Sequence, residues 1–495
     1  KYEYNDDDII SKKKYKLDNV SNNIVSQYND NNSLTNTNYG DYNINYIYDD
    51  LNRVIEKNIN NLTITNYEFL SNGKRTTNLL NRINTNGTIL QYKYDNLNNI
   101  THIYENSKLV KKYKYDNRNE LVLENDYIND IKYLYNYDNY GNIKEVKKCN
   151  LNNYSCISIE KYEYNDEDWQ DKLTNISGKN ICYDVIGNPI SIGDDTILTW
   201  KNGKELSIYQ NDSMTVQYDY NIDGIRTKKC VNDNTTEYYL EANKIIYEKR
   251  NQNVIFYIYS SENDLLGLTY NNNTYFYVKN LQGDIIKLVD YNNNIIATYE
   301  YDSWGNIISI KDSLENDVSN DLTHIGNINP FRYRGYYYDV ETNLYYLNKR
   351  YYSPQWRRFI NADSYLATST KIVDYNMFAY AGNNPINNID PNGNSLKKIL
   401  KKISKKIKKI KKTVKNIIKK ITTVVKKIAT TIKNSFVAEV GVGIGIGGQA
   451  KIGNNVGTGA SAYDDFNVGI SNGQIYNSTT ASVGGNLAII NAQAS

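Results

Sequence analysis

With 495 residues the chain is long enough for two or more domains with ample buried core. Fifty tyrosines beside two methionines and eight phenylalanines argue against a compact aliphatic core: tyrosine packs its ring, keeps its hydroxyl hydrogen-bonded, and favours strands. The net charge of +3 divides into −11 over residues 1–396 and +14 over 397–495, and four cysteines are too few for a disulfide scaffold and match no zinc spacing.

The chain opens on Lys1 rather than Met, with neither a secretory leader nor an apolar run of about 20 residues, and so reads as a piece of a longer protein. From there a short unit recurs: an aromatic, one residue, an aromatic, then Asp or Asn and a turn. Copies are YEYN at Tyr2–Asn5, YIYDDLNR at Tyr46–Arg53, YEFLSNGKR at Tyr67–Arg75, YKYDNLNN at Tyr92–Asn99, YKYDNRNE at Tyr113–Glu120 and YNYDNYGN at Tyr135–Asn142. Further copies are YEYN at Tyr162–Asn165, YDYNIDGIR at Tyr218–Arg226 and YEYDSWGN at Tyr299–Asn306. The second aromatic falls at Tyr48, Phe69, Tyr94, Tyr115, Tyr137 and Tyr164, in steps of 21 to 27 residues. A period near 20 signals a repeat architecture. Alternation places both rings of a unit on one strand face, and the Asp/Asn and Gly that follow form turns. The fold expected is mainly β, one sheet of stacked strand–turn–strand units. Packing is the plain role for the rings; stacking on carbohydrate is the other.

At Asn329 the repeat gives way to NPFRYRGYYYDVETNLYYLNKRYYSPQWRRFINADSY, and at Phe378 to FAYAGNNPINNIDPNGN. The repeats resemble YD repeats, and this junction resembles the core that closes Rhs-type (rearrangement hotspot) proteins. The likeness is carried by RYRGYYYD at Arg332–Asp339, ETNLYYLNKRYYSP at Glu341–Pro354, RRFINAD at Arg357–Asp363 and FAYAGNNPINNIDPNG at Phe378–Gly393, with LTWKNGKEL at Leu198–Leu206 as a further recurring element. It covers roughly residues 1–394. It implies a YD-repeat β sheet that spirals into a shell (1–328), a core that plugs it (329–394), and a variable C-terminal polypeptide held inside. In the similar C components of insecticidal toxin complexes that polypeptide is a toxin, cut from the shell by an internal aspartyl protease. The resemblance further implies a secreted or cell-surface protein with a cognate immunity protein as partner.

An aspartyl protease needs two carboxylates close enough to share one proton, one acting as acid and the other as base on a water. Asp363 and Asp390 fit the family pattern, with Arg358 as the arginine that positions them and the cut near Asn394–Leu396. As residues alone, Asp390 before Pro391 and Gly393 is also an ordinary turn, and Asp363 a loop acid. The chain departs from the pattern at Arg357, where glycine is common, and at Ser353, where aspartate is. The two histidines, His102 and His324, read as structural. No cofactor or metal site is visible.

From 395 to 434 the chain is Lys and Ile with some Thr. Apolar residues at Leu400, Ile403, Ile407, Ile410, Val414, Ile417, Ile421, Val424 and Ile428 alternate steps of three and four, a helical stripe among lysines. A coiled coil would set lysine against lysine. A nucleic-acid binder would lack arginine and stacking aromatics. An amphipathic helix of 397–433 on an anionic membrane accounts for both faces, and neutralisation of an acidic shell wall is the remaining reading. The last stretch, 435–495, alternates Val440, Val442, Ile444 and Ile446 with glycines and shows further strand-like runs near Phe466–Ile470 and Ala481–Ile490, a small Gly-rich β segment. Residues 397–495 contain no His, Cys, Arg or Trp, so a His-metal nuclease or a cysteine hydrolase cannot be assembled there. The expected function is a shell that releases a membrane-active effector against competitor or host cells. The alternative is a cell-surface adhesin whose tyrosines bind glycans and whose tail anchors to the envelope.

Overall fold

The computed structural model describes residues 1–17, 20–40, 42–72, 75–153, 155–364, 372–393 and 397–398, and four strands further on, and it divides the chain into two compact units, Lys1–Leu400 and Lys401–Ser495. The first unit is built on one 30-stranded sheet, from Tyr2–Tyr4 to Ile307–Lys311. Each strand pairs antiparallel with the next along the chain, so the sheet is an uninterrupted meander.

The repeat unit explains how the meander is made. The first tyrosine is buried in most units: Tyr92, Tyr113, Tyr135, Tyr162, Tyr218 and Tyr299 all fall under 5% exposed, while Tyr46 and Tyr67 are half-buried and Tyr2 is exposed. The second lies on the same face at a strand end, where the register shifts by a bulge, as at Tyr48, Tyr115, Tyr137 and Tyr301. Its hydroxyl donates to a main-chain carbonyl near the start of an earlier strand. Tyr48 reaches Leu34 at 2.7 Å, Tyr94 reaches Leu80 at 2.6 Å, Tyr115 reaches Ile100 at 2.6 Å, and Tyr137 reaches Leu121 at 2.7 Å. Tyr164, Tyr220 and Tyr301 do the same. Trp200 in LTWKNGKEL stands in with its indole N–H, 2.6 Å from the Pro189 carbonyl, and Lys279 with its ammonium on the Leu265 carbonyl. The aspartate that follows accepts two main-chain N–H groups. Asp95 takes those of Leu97 and Asn99, and Asp138 those of Tyr140 and Asn142. The asparagine four residues on donates back to the second carboxylate oxygen. Tyrosine and aspartate are thus a bulge anchor and a turn clamp.

The meander coils back on itself through side chains. Tyr2 and Tyr15 hydrogen-bond Glu241 at 2.6 and 2.5 Å, Asn22 donates to Tyr247 at 2.9 Å, and Tyr39 stacks on Phe256 at 5.3 Å. Further along, Tyr42 meets Phe276 edge-on and Tyr135 meets Trp304. The core is one continuous cluster from Ile24 to Ile386 that includes Tyr333, Tyr345, Tyr352, Phe359 and Tyr380 of the junction.

After Lys311 come a one-turn helix, Ile325–Ile328, and a small antiparallel sheet of Tyr337–Asp339, Leu344–Tyr346, Tyr351–Ser353 and Arg358–Phe359. His324 caps the helix, its Nδ1 accepting from the Gly326 N–H at 3.1 Å, and His102 lies in the strand Ile100–Glu105 beside Thr101. Lys397–Lys398 is extended and pairs with Asn388–Ile389, so the expected Lys/Ile helical segment begins with two strand residues; its stripe, 399–449 and the alternating run at Val440 lie outside the described residues. In the second unit, Ala450–Val456, Ala460–Ser471, Gln474–Val483 and Asn486–Gln493 form a four-stranded antiparallel meander. The run expected near Ala481–Ile490 falls on two strands, Gln474–Val483 and Asn486–Gln493. The strand Gln474–Val483 shows no apolar alternation through its middle, Asn477-Ser478-Thr479-Thr480. Among the described residues no helix is long and apolar enough to cross a membrane, which says nothing of β-barrels.

Candidate functional site

The junction is clipped to the strand-end turns of the sheet by its asparagines. Asn383 Nδ2 donates to Glu120 Oε1 at 2.8 Å and to the Gly141 carbonyl at 2.6 Å. Asn376 bonds Asn142 at 2.6 Å, Asn384 bonds the Asn119 carbonyl at 2.9 Å, and Asn387 accepts the Ile100 N–H at 2.8 Å. The NNPINN run therefore reads the same turns that the repeat aspartates build. Two buried ion clusters add to it. Arg226 and Lys229 of the sheet both reach Asp339, at 2.5 and 3.1 Å, and Arg334 reaches Asp284 at 3.3 Å.

A third cluster brings the two candidate acids together. Nη2 of Arg350, in the NKRYYSP run, lies 2.8 Å from Asp363 Oδ2 and 3.2 Å from Asp390 Oδ2. The two carboxylate oxygens are thus no further apart than those two distances laid end to end. The same guanidinium donates from Nη1 to the Met377 carbonyl at 3.0 Å and from Nε to the Gly393 carbonyl, and it lies over the Phe359 ring, 3.5 Å from its centre. Burial presses the Arg350 guanidinium below its ordinary value, while Asp363 and Asp390 oppose that shift. Lys204 is a second cation beside them: burial pushes its ammonium down, Asp363 opposes that and Arg350 adds to it.

Each acid is fixed by its own backbone. Asp390 is buried, and its Oδ1 accepts the Gly393 N–H at 2.9 Å, the turn expected of Asp-Pro-Asn-Gly; only Oδ2 faces Arg350. Gly393 has φ of +81°, and a Cβ there would sit 2.9 Å from the Leu347 carbonyl, so both conformation and space require glycine. The Asp363 N–H donates to the Met377 carbonyl at 2.9 Å, and Lys204 Nζ holds the Ala362 carbonyl at 2.7 Å and the Asp363 carbonyl at 2.5 Å. Lys204 belongs to LTWKNGKEL, so that element ties the sheet to the acid-bearing loop.

Arg358 is placed elsewhere. Its Nη1 donates to the Tyr164 hydroxyl at 2.9 Å, its Nη2 to the Asp171 carbonyl, and its guanidinium lies between the Tyr164 and Phe378 rings. It fastens the strand Arg358–Phe359 to the sheet, and Arg350 holds the position expected of it. No local signal separates the two, since Arg350 and Arg358 both adjoin buried aromatic residues and both are buried, where an arginine must be paired. Asn394–Leu396, the expected cleavage region, lies outside the described residues, but the Gly393 carbonyl that leads into it is bound to Arg350. Among the described residues no three His, Cys, Asp or Glu side chains form a metal-binding group.

The family model described as Teneurin YD-shell matches residues 84–386. The tRNA3(Ser)-specific nuclease WapA of Bacillus spizizenii is 30% identical over 266 residues, 52% of this chain and 11% of that protein, and the tRNA nuclease WapA of Bacillus subtilis matches to the same extent. Of solved structures, the Photorhabdus luminescens Tc holotoxin pore, carrying a variant TccC3, is similar with a TM-score of 0.61 at 16% identity, over 79% of this chain and 21% of that one. The TcdB2–TccC3 complex is similar with a TM-score of 0.53 at 16% identity, over 76% and 22%. The chain thus spans only a small part of the relatives it matches.

Proposed function

The chain belongs to the YD-shell family, with the shell of Rhs-type proteins, and from that premise we propose that it sheathes and releases its own C-terminal segment. Residues 1–328 are the shell, 329–394 the plug, and 395–434 with 435–495 the cargo. Release is a self-cleavage near Asn394–Leu396 by Asp363 and Asp390. One carboxylate takes the proton of a water as it attacks the scissile carbonyl, and the other gives a proton to the departing amide nitrogen. Arg350 positions both acids and the chain entering the site. What carries this reading is that two segments meet on one guanidinium: Asp363, and the Asp390–Gly393 turn, whose Gly393 carbonyl leads into the bond to be cut.

Arg350 holds one carboxylate oxygen of each acid, and a working dyad has one acid protonated and the other ionised. Replacing Arg350 by Lys keeps the charge and removes the planar fork. Displacement of a reacting group costs about 100-fold in rate, so Arg350→Lys should slow release by about that factor in an incubation followed by mass spectrometry. An unchanged rate removes Arg350 from the site.

The cargo we propose is membrane-active, and the protein secreted or exposed at the cell surface with a cognate immunity protein. The Lys/Ile stripe supports this, as does the lack of any acid between Pro391 and Ala438. A nuclease cargo, in line with the named activity of the WapA relatives, would have to work in residues 397–495 without His, Cys, Arg or Trp. Inducible expression of residues 395–495, with and without export, separates the readings. Growth arrest with dye leakage supports membrane action; arrest without leakage points to an intracellular target. No effect, together with glycan binding by residues 1–394, returns the protein to the adhesin reading. The buried first tyrosines and the bonded hydroxyls of the second leave that reading less ring surface to use.

A further inference from the structure

The hairpin of Ile143–Asn150 and Cys156–Glu163 holds two of the four cysteines face to face. Cys149 and Cys156 are direct partners in the antiparallel ladder, where the register moves from Lys148↔Ser158 to Cys149↔Cys156. The next residue inward, Asn150, donates its N–H to the Ser155 carbonyl at 2.8 Å. Hydrogen-bonded and non-hydrogen-bonded pairs alternate in such a ladder, so Cys149 and Cys156 occupy a non-hydrogen-bonded pair, where Cα atoms approach to about 4.5 Å. That lies inside the disulfide range of roughly 4.4 to 6.8 Å. Burial pushes the Cys149 thiol up, the neighbouring Cys156 thiol adds to this, and Lys132, directly opposite Cys149 on the other side, and Lys147 oppose it. Cys149 is buried and Cys156 exposed, and all four cysteines are free thiols here. Cys182 faces Ser191, and Cys230 faces Gln217 and Thr235, so neither has a cysteine in register.

We propose that Cys149 and Cys156 are a modification site: a dithiol that closes to a cross-strand disulfide on exchange with a small-molecule disulfide such as oxidised glutathione. The exposed Cys156 thiolate attacks the oxidant, forming a mixed disulfide and releasing one thiol. Cys149 thiolate then attacks Cys156 Sγ and releases the second. Two protein thiols are oxidised, one external disulfide is reduced to two thiols, and the two protons leave with them. The crosslink closes the hairpin whose second strand carries Glu160 and Tyr162, both bound by Arg357 of the plug, just ahead of Tyr164, bound by Arg358. Oxidation therefore fastens the wall to which the plug is tied.

The test is to incubate the full chain with oxidised glutathione, then denature it, count thiols and take its mass. The expected result is two thiols remaining of four, a mass lower by two hydrogens, a peptide crosslinked between Cys149 and Cys156, and full reversal by reductant. Cys149→Ser should instead retain a glutathione adduct on Cys156, and Cys156→Ser should form no crosslink within the chain. Four thiols surviving oxidation would overturn the proposal, as would a stable adduct on Cys156 in the unsubstituted chain or a crosslink to Cys182 or Cys230. Cleavage plays no part in the readout, so the result is independent of the reading of Asp363 and Asp390.

Discussion

Two buried arginine clusters in the first unit look alike and share their charges differently. At Asp339 one carboxylate is shared by two cations: Arg226 at 2.5 Å and Lys229 at 3.1 Å. At Arg350 one cation is shared by two carboxylates, Asp363 and Asp390. Burial pushes the Asp339 carboxyl up, but its two cations together pull it below the usual carboxylate range, so it has no use for a proton. At Arg350 two carboxylates converge on one guanidinium, with Lys204 holding the main chain of one of them. The first arrangement suits a clasp and the second a site for acid–base chemistry.

The comparison breaks or sharpens on six substitutions. The largest effect belongs to Asp390→Asn and Asp363→Asn, each of which should slow release by on the order of 10⁴-fold, the upper range for a general acid or base, while the circular dichroism of the folded chain is kept. Asp339→Ala should do the reverse. It strands the buried Arg226, leaves Lys229 with Glu341 alone, and should cost about 3–5 kcal/mol in urea unfolding, with release still proceeding in the molecules that remain folded. Equal effects of Asp339→Ala and Asp390→Asn on stability and on release would erase the distinction.

Glu120, bonded by Asn383 of the plug, gives a pH-dependent version. Burial pushes its carboxyl up to about 7, against the opposing pull of Asn383 and Arg118. A carboxyl raised in the folded state binds its proton more tightly there than in the unfolded chain. Its contribution to stability is therefore full below its ordinary value of 4.5 and falls as pH rises through about 7. Asp339 has the opposite sign: its contribution is present above 3.8 and is lost as pH falls through its depressed folded value. Glu120→Gln should flatten the decline between 4.5 and 7, read as the urea midpoint against pH, and a slope unchanged by the substitution would assign it to other groups. The smallest effect is Tyr137→Phe. It removes one hydroxyl bond to the Leu121 carbonyl and should cost about 1 kcal/mol, with Trp200→Phe similar at its own bulge.

The repeat was legible because its physics is local. A tyrosine that reaches the carbonyl of a neighbouring strand and an aspartate that clamps the next four residues leave a signature within one unit, and the spacing of Tyr94, Tyr115 and Tyr137 carries it along the chain. The coil was not legible from spacing, because Tyr15 finds Glu241 and Tyr39 finds Phe256 across more than 200 residues with no motif to join them. At the junction Asp363 and Asp390 could be named from the resemblance, but Arg350 could not be told from Arg358. Choosing between them requires knowing that the turn at Gly393 brings its carbonyl back to the 347–350 bend. Lys204 was hidden for the same reason, since its partner carbonyls at Ala362 and Asp363 lie far along the chain. The cysteine pair was written in the numbers 149 and 156 and went unread, because a hairpin register becomes definite only once its bulge is placed.

The most direct test of the central claim is the intact mass of the purified full chain beside its Asp363→Asn and Asp390→Asn forms. The account requires two fragments from the unsubstituted chain, split near Asn394–Leu396, and a single full-length species from each substituted one. A single full-length species from all three, or the same two fragments from all three, would contradict it.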